Sequence, residues 1–325
     1  MKRLVIFVIT ISILLSLAGC GDQSDTVDTT AENTTNDTVA TQELIGINTY
    51  EFVNTETLSA GGAHSVGLKD DGTVVAKGQN DVEQCNVGSW SDIVAVSAGN
   101  GHTVGLKKDG MVVATGDNKY GPCDVSSWSD IVGISAGYHY TVGQKKDGTV
   151  IAVGYNDYGQ CNVGGWNDII AVSAGPSHTV GLKKDGTVVA VGHNEHGECN
   201  VSSWSDIVAV SVGQFYTIGL KHNGTVVATG LNNKGQCDVG NWSDITAVSS
   251  DFIHTVGLKH NGTVVATGLN DEGQCDVGNW SNIVAISAGA KFTLGLKKDG
   301  TVVATGRNKE NQCDISKSIR LKLPK

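Results

Sequence analysis

The chain has 325 residues, a formal charge of −10 and only 17 % charged residues. An acidic balance of this kind excludes a nucleic-acid surface, which needs clustered Lys and Arg, and gives little attraction to anionic lipid headgroups. Length alone suggests two domains, and the 43 glycines follow no Gly-X-Y period that would point to collagen.

Lys2 and Arg3 precede an apolar run from Leu4 to Ala18, which is too short for a comfortable transmembrane helix. The run ends in Leu17-Ala18-Gly19-Cys20, which resembles a bacterial lipobox. The resemblance implies cleavage before Cys20 and lipidation of its thiol. It also implies export, with anchoring to the outer side of the cell membrane through the lipid only. A plain secretory peptide or an uncleaved signal anchor is the competing reading. Residues 1–19 are therefore expected to be a lipoprotein signal peptide. Residues 20–44 are rich in Thr, Asn and Asp and show no apolar period. Such a segment buries too little surface to offset its ordering entropy and reads as a disordered polar tether.

From residue 45 to 325 one unit recurs. Cys stands at 85, 123, 161, 199, 237, 275 and 313, and Trp at 90, 128, 166, 204, 242 and 280, so each step is 38 residues. Stepping back once from Trp90 and Cys85 lands on Phe52 and Ile47, a degenerate first copy. A fixed period of this size marks a solenoid or propeller and overrides the two-domain prior. No helical period fits. Short β-branched runs bounded by Gly, Asp and Asn predict strands: Ile93–Ala98, Thr103–Lys107, Met111–Thr115 and a fourth piece around Cys123. Asp109-Gly110 and its six equivalents, with Asn at 223 and 261, predict two-residue type I′ hairpins. Gly105 and its equivalents inside the second strand predict close approach of another backbone.

The run His102-Thr103, Leu106-Lys107, Asp109-Gly110, then Gly116, Asn118 and Gly121, with Gly159-Gln160 and Gly235-Gln236 in other copies, resembles the repeat of the regulator of chromosome condensation family. The resemblance spans about residues 45 to 315 and implies a closed, all-β, seven-bladed propeller. The sequence departs from the family where Thr115-Gly116 or Val153-Gly154 replaces the usual Trp-Gly, and where Cys123 replaces Leu. The nucleotide-exchange role of eukaryotic members does not suit an acidic, lipidated, exported chain. Secreted bacterial β-lactamase inhibitors built on the same short repeats are the nearer functional analogy.

Most candidate chemistry reads as structure. The seven cysteines after Cys20 are too far apart around a seven-fold ring for the roughly 7 Å disulfide limit, so buried free thiols are expected rather than disulfides or a metal ring. His64, His102, His178 and His254 share one slot with Tyr140, Tyr216 and Phe292, so the slot wants a flat ring that packs. The six Trp are expected to pack between blades, with sugar stacking as the alternative. No catalytic triad, carboxylate pair, metal set or cofactor loop stands out, and the expectation is a binding protein rather than an enzyme, with no metal or cofactor.

Variation between copies points to one face. The first-to-second and third-to-fourth strand loops emerge together, and they alone differ from copy to copy. They carry Tyr120, Tyr138, His139, Tyr155, Tyr158, His193, His196, Phe215 and Phe252. Exposed rings on a rigid scaffold are typical binding anchors. The expected function is an envelope-anchored, monomeric scaffold that recognises an extracellular or envelope protein through this face. A lectin-like glycan-binding module is the alternative, and an enzyme with an unrecognised site is the third reading.

Overall fold

A computed structural model of the chain describes residues 57–316 and 320–324. The expected signal peptide, the lipidation site Cys20, the tether and the degenerate slots Ile47 and Phe52 lie outside the described residues.

The repeats form seven three-stranded antiparallel sheets, each built from consecutive strands. The first blade holds β1 (Leu58–Ala60), β2 (His64–Leu68) and β3 (Val74–Gly78). The second holds β4 (Ile93–Ala98), β5 (His102–Lys107) and β6 (Val112–Gly116), and the order runs on to β19 (Ile283–Ala288), β20 (Phe292–Lys297) and β21 (Val302–Gly306). The middle strand is buried along nearly its whole length, as expected where both faces of a blade meet a neighbour. The first strands line a central channel of about 290 Å³. Together the seven sheets form the expected seven-bladed propeller.

Three local expectations are corrected. The piece around Cys123 is not a strand. It is a chain of turns, with Gly121 N donating to Asn118 O, Asp124 N to Gly121 O and Trp128 N to Val125 O, at 3.0–3.1 Å. Asn, Asp and Gly offer local partners here that outcompete a ladder. The hairpins are not type I′ either. In the first, Lys69 N donates to Thr73 O and Gly72 N to Lys69 O, and Gly72 alone has positive φ (77°). This is a three-residue loop, a type I turn closed by a left-handed Gly. Asp71 spares itself the left-handed conformation by accepting from both the amide and the hydroxyl of Thr73, at 2.9 and 2.6 Å. Finally, Gly105 faces a side chain rather than a backbone: a Cβ there would lie 2.7 Å from Cζ3 of Trp90, and the same holds for Gly143 with Trp128 and Gly181 with Trp166. The missing Cβ makes room for an indole wedged between blades, so the Trp residues pack at junctions.

There is no single core. Seven apolar clusters each span one blade junction. Three repeated polar links tie the same junctions. Near the axis a Ser hydroxyl accepts the next blade's amide, as in Ser59 from Ala98, Ser97 from Ala136 and Ser249 from Ala288, at 2.9–3.0 Å. These amides lie on inner strand edges that would otherwise stay unpaired. Further out, the Thr after each ring slot donates to the preceding blade's loop carbonyl, such as Thr103 to Gln84 O and Thr217 to Glu198 O, both 2.7 Å. The ring slot itself reaches forward: His64, His102, His178 and His254 meet the Thr of the next blade at 2.9–3.0 Å. Thr103 gives its only proton to Gln84 O, so it can only accept from His64, which places the imidazole proton on Nε2. Tyr140 and Tyr216 donate instead to the carbonyls of His178 and His254 at 2.7 and 2.6 Å. The slot is structural: it takes a buried flat ring, whose polar tip bonds the next blade in six copies and is absent at Phe292.

The ring closes through the C-terminal segment. Leu321 N donates to Gly300 O and Lys322 N to Leu68 O, both 2.9 Å. Leu321 packs on Gly67, where other blades place Trp, and it is buried in the cluster between the last and first blades. Ala60 N donates to Ser287 Oγ at 2.9 Å and Ser65 Oγ to Gln312 O at 2.6 Å, so the repeating links continue across the seam. The sequence offers two strand-like terminal segments for this junction, Ile45 to Thr49 and Ile319 to Leu323, and the described part of the second pairs across it. Ile45 to Thr49 and Ile319 lie outside the described residues.

Candidate loop-face binding site

The variable loops sit on a repeated scaffold. In each, the fixed Asn takes the amide of the Cys five residues on, as Asn156 Oδ1 does from Cys161 at 2.7 Å. Asn156 also donates to Asn162 Oδ1 at 3.0 Å. The Cys thiol reaches back to the carbonyl of the first variable residue, Tyr155 O at 3.3 Å and His193 O at 3.2 Å. The fixed Gln accepts from the second variable residue's amide, Tyr158 N to Gln160 Oε1 at 3.1 Å. Repeated residues therefore hold the backbone of the variable ones, the Asn and Cys in every copy and the Gln in five. The seven described cysteines stand outside disulfides and are half-buried rather than buried, each with its thiol turned to this carbonyl. Burial still pushes the Cys161 thiol up to about 11 and that of Cys199 to about 12, so neither is a thiolate at neutral pH.

On this scaffold eight rings form one continuous strip across the second to fifth blades. Tyr138 meets His139 with centroids 4.5 Å apart, His139 meets Tyr120 at 5.1 Å, and Tyr120 meets Tyr155 at 5.2 Å. Tyr155 continues to Tyr158 at 6.1 Å, Tyr158 to His193 at 5.2 Å, and His193 to Phe215 at 5.1 Å and His196 at 6.2 Å. Most contacts are tilted or edge-on, the geometry aromatic pairs prefer. Tyr120, Tyr138 and Tyr158 are 41–52 % exposed. Of the nine rings singled out from the sequence, only Phe252 stands apart, at the mouth of the axial channel.

Two residues of this face escaped the sequence reading. Glu198 occupies the slot that holds Gln in most copies, and its side chain is fully buried. It accepts from His193 Nδ1 at 2.5 Å and from His196 N at 2.9 Å. Burial raises the carboxyl, but these hydrogen bonds outweigh it and hold Glu198 below its ordinary value. The pair thus fixes the orientation of His193 within the strip. Asp251 stands where the other six copies have Gly, facing the channel, and burial pushes its carboxyl up to about 7. The available signal in both cases was a departure from an otherwise repeated slot. Among the described residues, no group of three His, Cys, Asp or Glu could hold a metal ion.

Four segments, 93–121, 169–198, 207–236 and 283–312, match the family described as Regulator of chromosome condensation (RCC1) repeat. Each runs from the first strand of a blade to its variable loop. No curated protein sequence matches the chain. Among solved structures, the CRINKLY WD40 ectodomain of the Arabidopsis thaliana receptor kinase ACR4 is 18 % identical with a TM-score of 0.65, over 82 % of this chain and 97 % of that one. The ectodomain of the Physcomitrella patens receptor kinase CR4 is 20 % identical with a TM-score of 0.64, over 77 % and 72 %. Yeast RCC1 (Prp20), solved bound to Kap60, is 16 % identical with a TM-score of 0.60, over 79 % and 81 %. By its architecture the chain is a seven-bladed propeller, and four of its repeats match the RCC1 repeat.

Proposed function

We propose that the protein is a binding scaffold, exported and tethered through a lipid on Cys20, that recognises a protein partner through the loop face of blades two to five. The observation that carries this reading is the continuous strip from Tyr138 to Phe215. Large rigid rings give contact area at low rotamer cost, and phenol hydroxyls orient it. The strip is confined to one side of the ring, which suits a single partner. A sugar recognised equally by every blade would need equivalent rings in every copy. The Trp residues that do recur are committed to blade packing. The fold occurs elsewhere in receptor ectodomains, and the yeast RCC1 structure holds a bound second protein.

The test is capture from envelope extract and culture medium with the purified protein, repeated with Tyr155→Ala and Tyr158→Ala. Each change is expected to weaken the captured partner by roughly thirtyfold, or about 2 kcal/mol, the usual cost of truncating a central anchor. Lys108→Ala and Lys146→Ala, beside the hairpins of the opposite face, are expected to leave capture unchanged. The reverse pattern puts the site on the wrong face. For the tether, Cys20→Ala should release the protein from the membrane fraction, and retention there refutes the lipid anchor.

A further inference from the structure

The strip does not consist of rings alone. Its two central loops share one pattern, a ring, Asn, an acid and a second ring: Tyr155-Asn156-Asp157-Tyr158 and His193-Asn194-Glu195-His196, one repeat apart in adjacent blades. The other five loops lack it, reading Gln79-Asn80-Asp81-Val82 and Leu231-Asn232-Asn233-Lys234, for example. In each patterned loop the acid stands beside its rings. Asp157 is exposed and two residues from Tyr155, whose phenol it pushes above its ordinary pKa, and Glu195 lies 3.7 Å from His193 Nε2 with its side chain 82 % exposed.

Carboxylates standing beside aromatic faces are the surroundings that attract an ammonium or guanidinium group. The strip already holds one such cation of its own: Lys119 Nζ sits 5.2 Å from the centroid of Tyr120. Neighbouring rings are 4.5–6.2 Å apart along the track, and the two ring pairs of the patterned loops are 6.1 and 6.2 Å apart, close to the roughly 6.6–6.8 Å between alternate side chains of an extended peptide.

Building on the loop-face reading, we propose that the partner is received as an extended cationic segment, with Lys or Arg side chains lodged beside Asp157 between Tyr155 and Tyr158, and beside Glu195 between His193 and His196. The net charge of −10 favours the same encounter at long range. The short-range part is what distinguishes the track from a merely acidic surface, because it needs the rings as well as the carboxylates.

The experiment titrates the purified full-length protein with labelled peptides of about 12 residues, roughly 40 Å when extended, made of Lys-Thr, Arg-Thr, Gln-Thr or Glu-Thr repeats. The Lys and Arg peptides should bind at least about tenfold more tightly than the Gln peptide, and the Glu peptide weakest. The double change Tyr155→Ala with Tyr158→Ala should cost the Lys and Arg peptides about tenfold, and Asp157→Asn with Glu195→Gln about threefold to tenfold. Unchanged melting curves show that the variants are folded. Equal binding of Lys and Gln peptides, or no binding at all, overturns the proposal. So does binding of the Lys peptide that survives loss of both tyrosines, which marks diffuse attraction. If a captured partner needs Tyr155 and Tyr158 but is displaced by neither cationic peptide, the cationic chemistry is wrong and the loop-face reading stands. If capture ignores both tyrosines, the loop-face reading itself fails.

Discussion

The blade junctions and the loop rim are written in the same 38-residue unit, yet they tolerate change in opposite ways. At the junctions every slot keeps its physical role. The ring slot alternates among His, Tyr and Phe, and the hydroxyl slot holds Ser65 in one blade and Thr in the other six. Even the seam, which lacks Trp, fills the same space with Leu321 on Gly67. On the rim only the Asn, Gln and Cys scaffold repeats, while the residues it displays run from Tyr to Arg. A buried slot is policed by its neighbours in the next blade, whereas a displayed side chain answers only to solvent or to a ligand.

The largest effect that sharpens this contrast is with pH, and it should come from the junctions. Burial lowers His64, His178 and His254 to about 4 and His102 to about 3, from 6.5 in the unfolded chain. Between about 6.5 and 4 the unfolded state binds more protons, so stability present above that window is lost as pH falls through it. Each imidazole contributes on the order of a few kcal/mol. Asp251 acts in the opposite direction, since its folded carboxyl keeps a proton up to about 7 while the unfolded one releases it near 3.8. Four imidazoles outweigh one carboxyl. The melting temperature should therefore drop steeply from about pH 7 to about pH 4.5, and a flat profile would contradict buried neutral imidazoles. His64→Phe, which copies the Phe292 of the last blade, should flatten it in part.

Next in size is the seam. Leu321 is 2 % exposed, and Leu321→Ala should destabilise the protein by about 2–5 kcal/mol in denaturant unfolding, the range for emptying a core leucine site. A loss below about 0.5 kcal/mol, typical of a surface site, would mean that the C-terminal segment does not close the ring. Ser97→Ala is expected to cost about 1–3 kcal/mol, because it strands the Ala136 amide without its acceptor. The smallest effect belongs to the rim. Tyr155→Ala and Tyr158→Ala should each change unfolding stability by less than about 0.5 kcal/mol, although both are expected to weaken a partner. A large stability loss at Tyr158 would erase the distinction between rim and junction.

Much of this was legible because a repeat reports its own constraints. Substitution of His by Tyr and Phe identified a packing ring, and the 38-residue steps of Cys and Trp identified seven blades. The hairpin type was misread because Asp-Gly permits both a two-residue and a three-residue loop. The choice fell to the Thr two residues after the Asp, whose amide and hydroxyl hold the Asp carboxylate. Glu198 was passed over because one acid in a Gln slot looks like drift until His193 is seen beside it.

The sequence by itself determined the all-β class, the number of blades, the positions of three strands in each blade and the loop set that varies. Those follow from period and from local residue preferences, which act within a few residues. Only the tertiary structure decided what each slot touches. The glycines of the second strand make room for indoles, the serines satisfy the next blade's amides, and Leu321 seals the seam. The nine rings picked from the loops became a strip of eight, with Phe252 left at the channel mouth. These contacts join residues whose distance apart is set by the closed ring rather than by the chain between them.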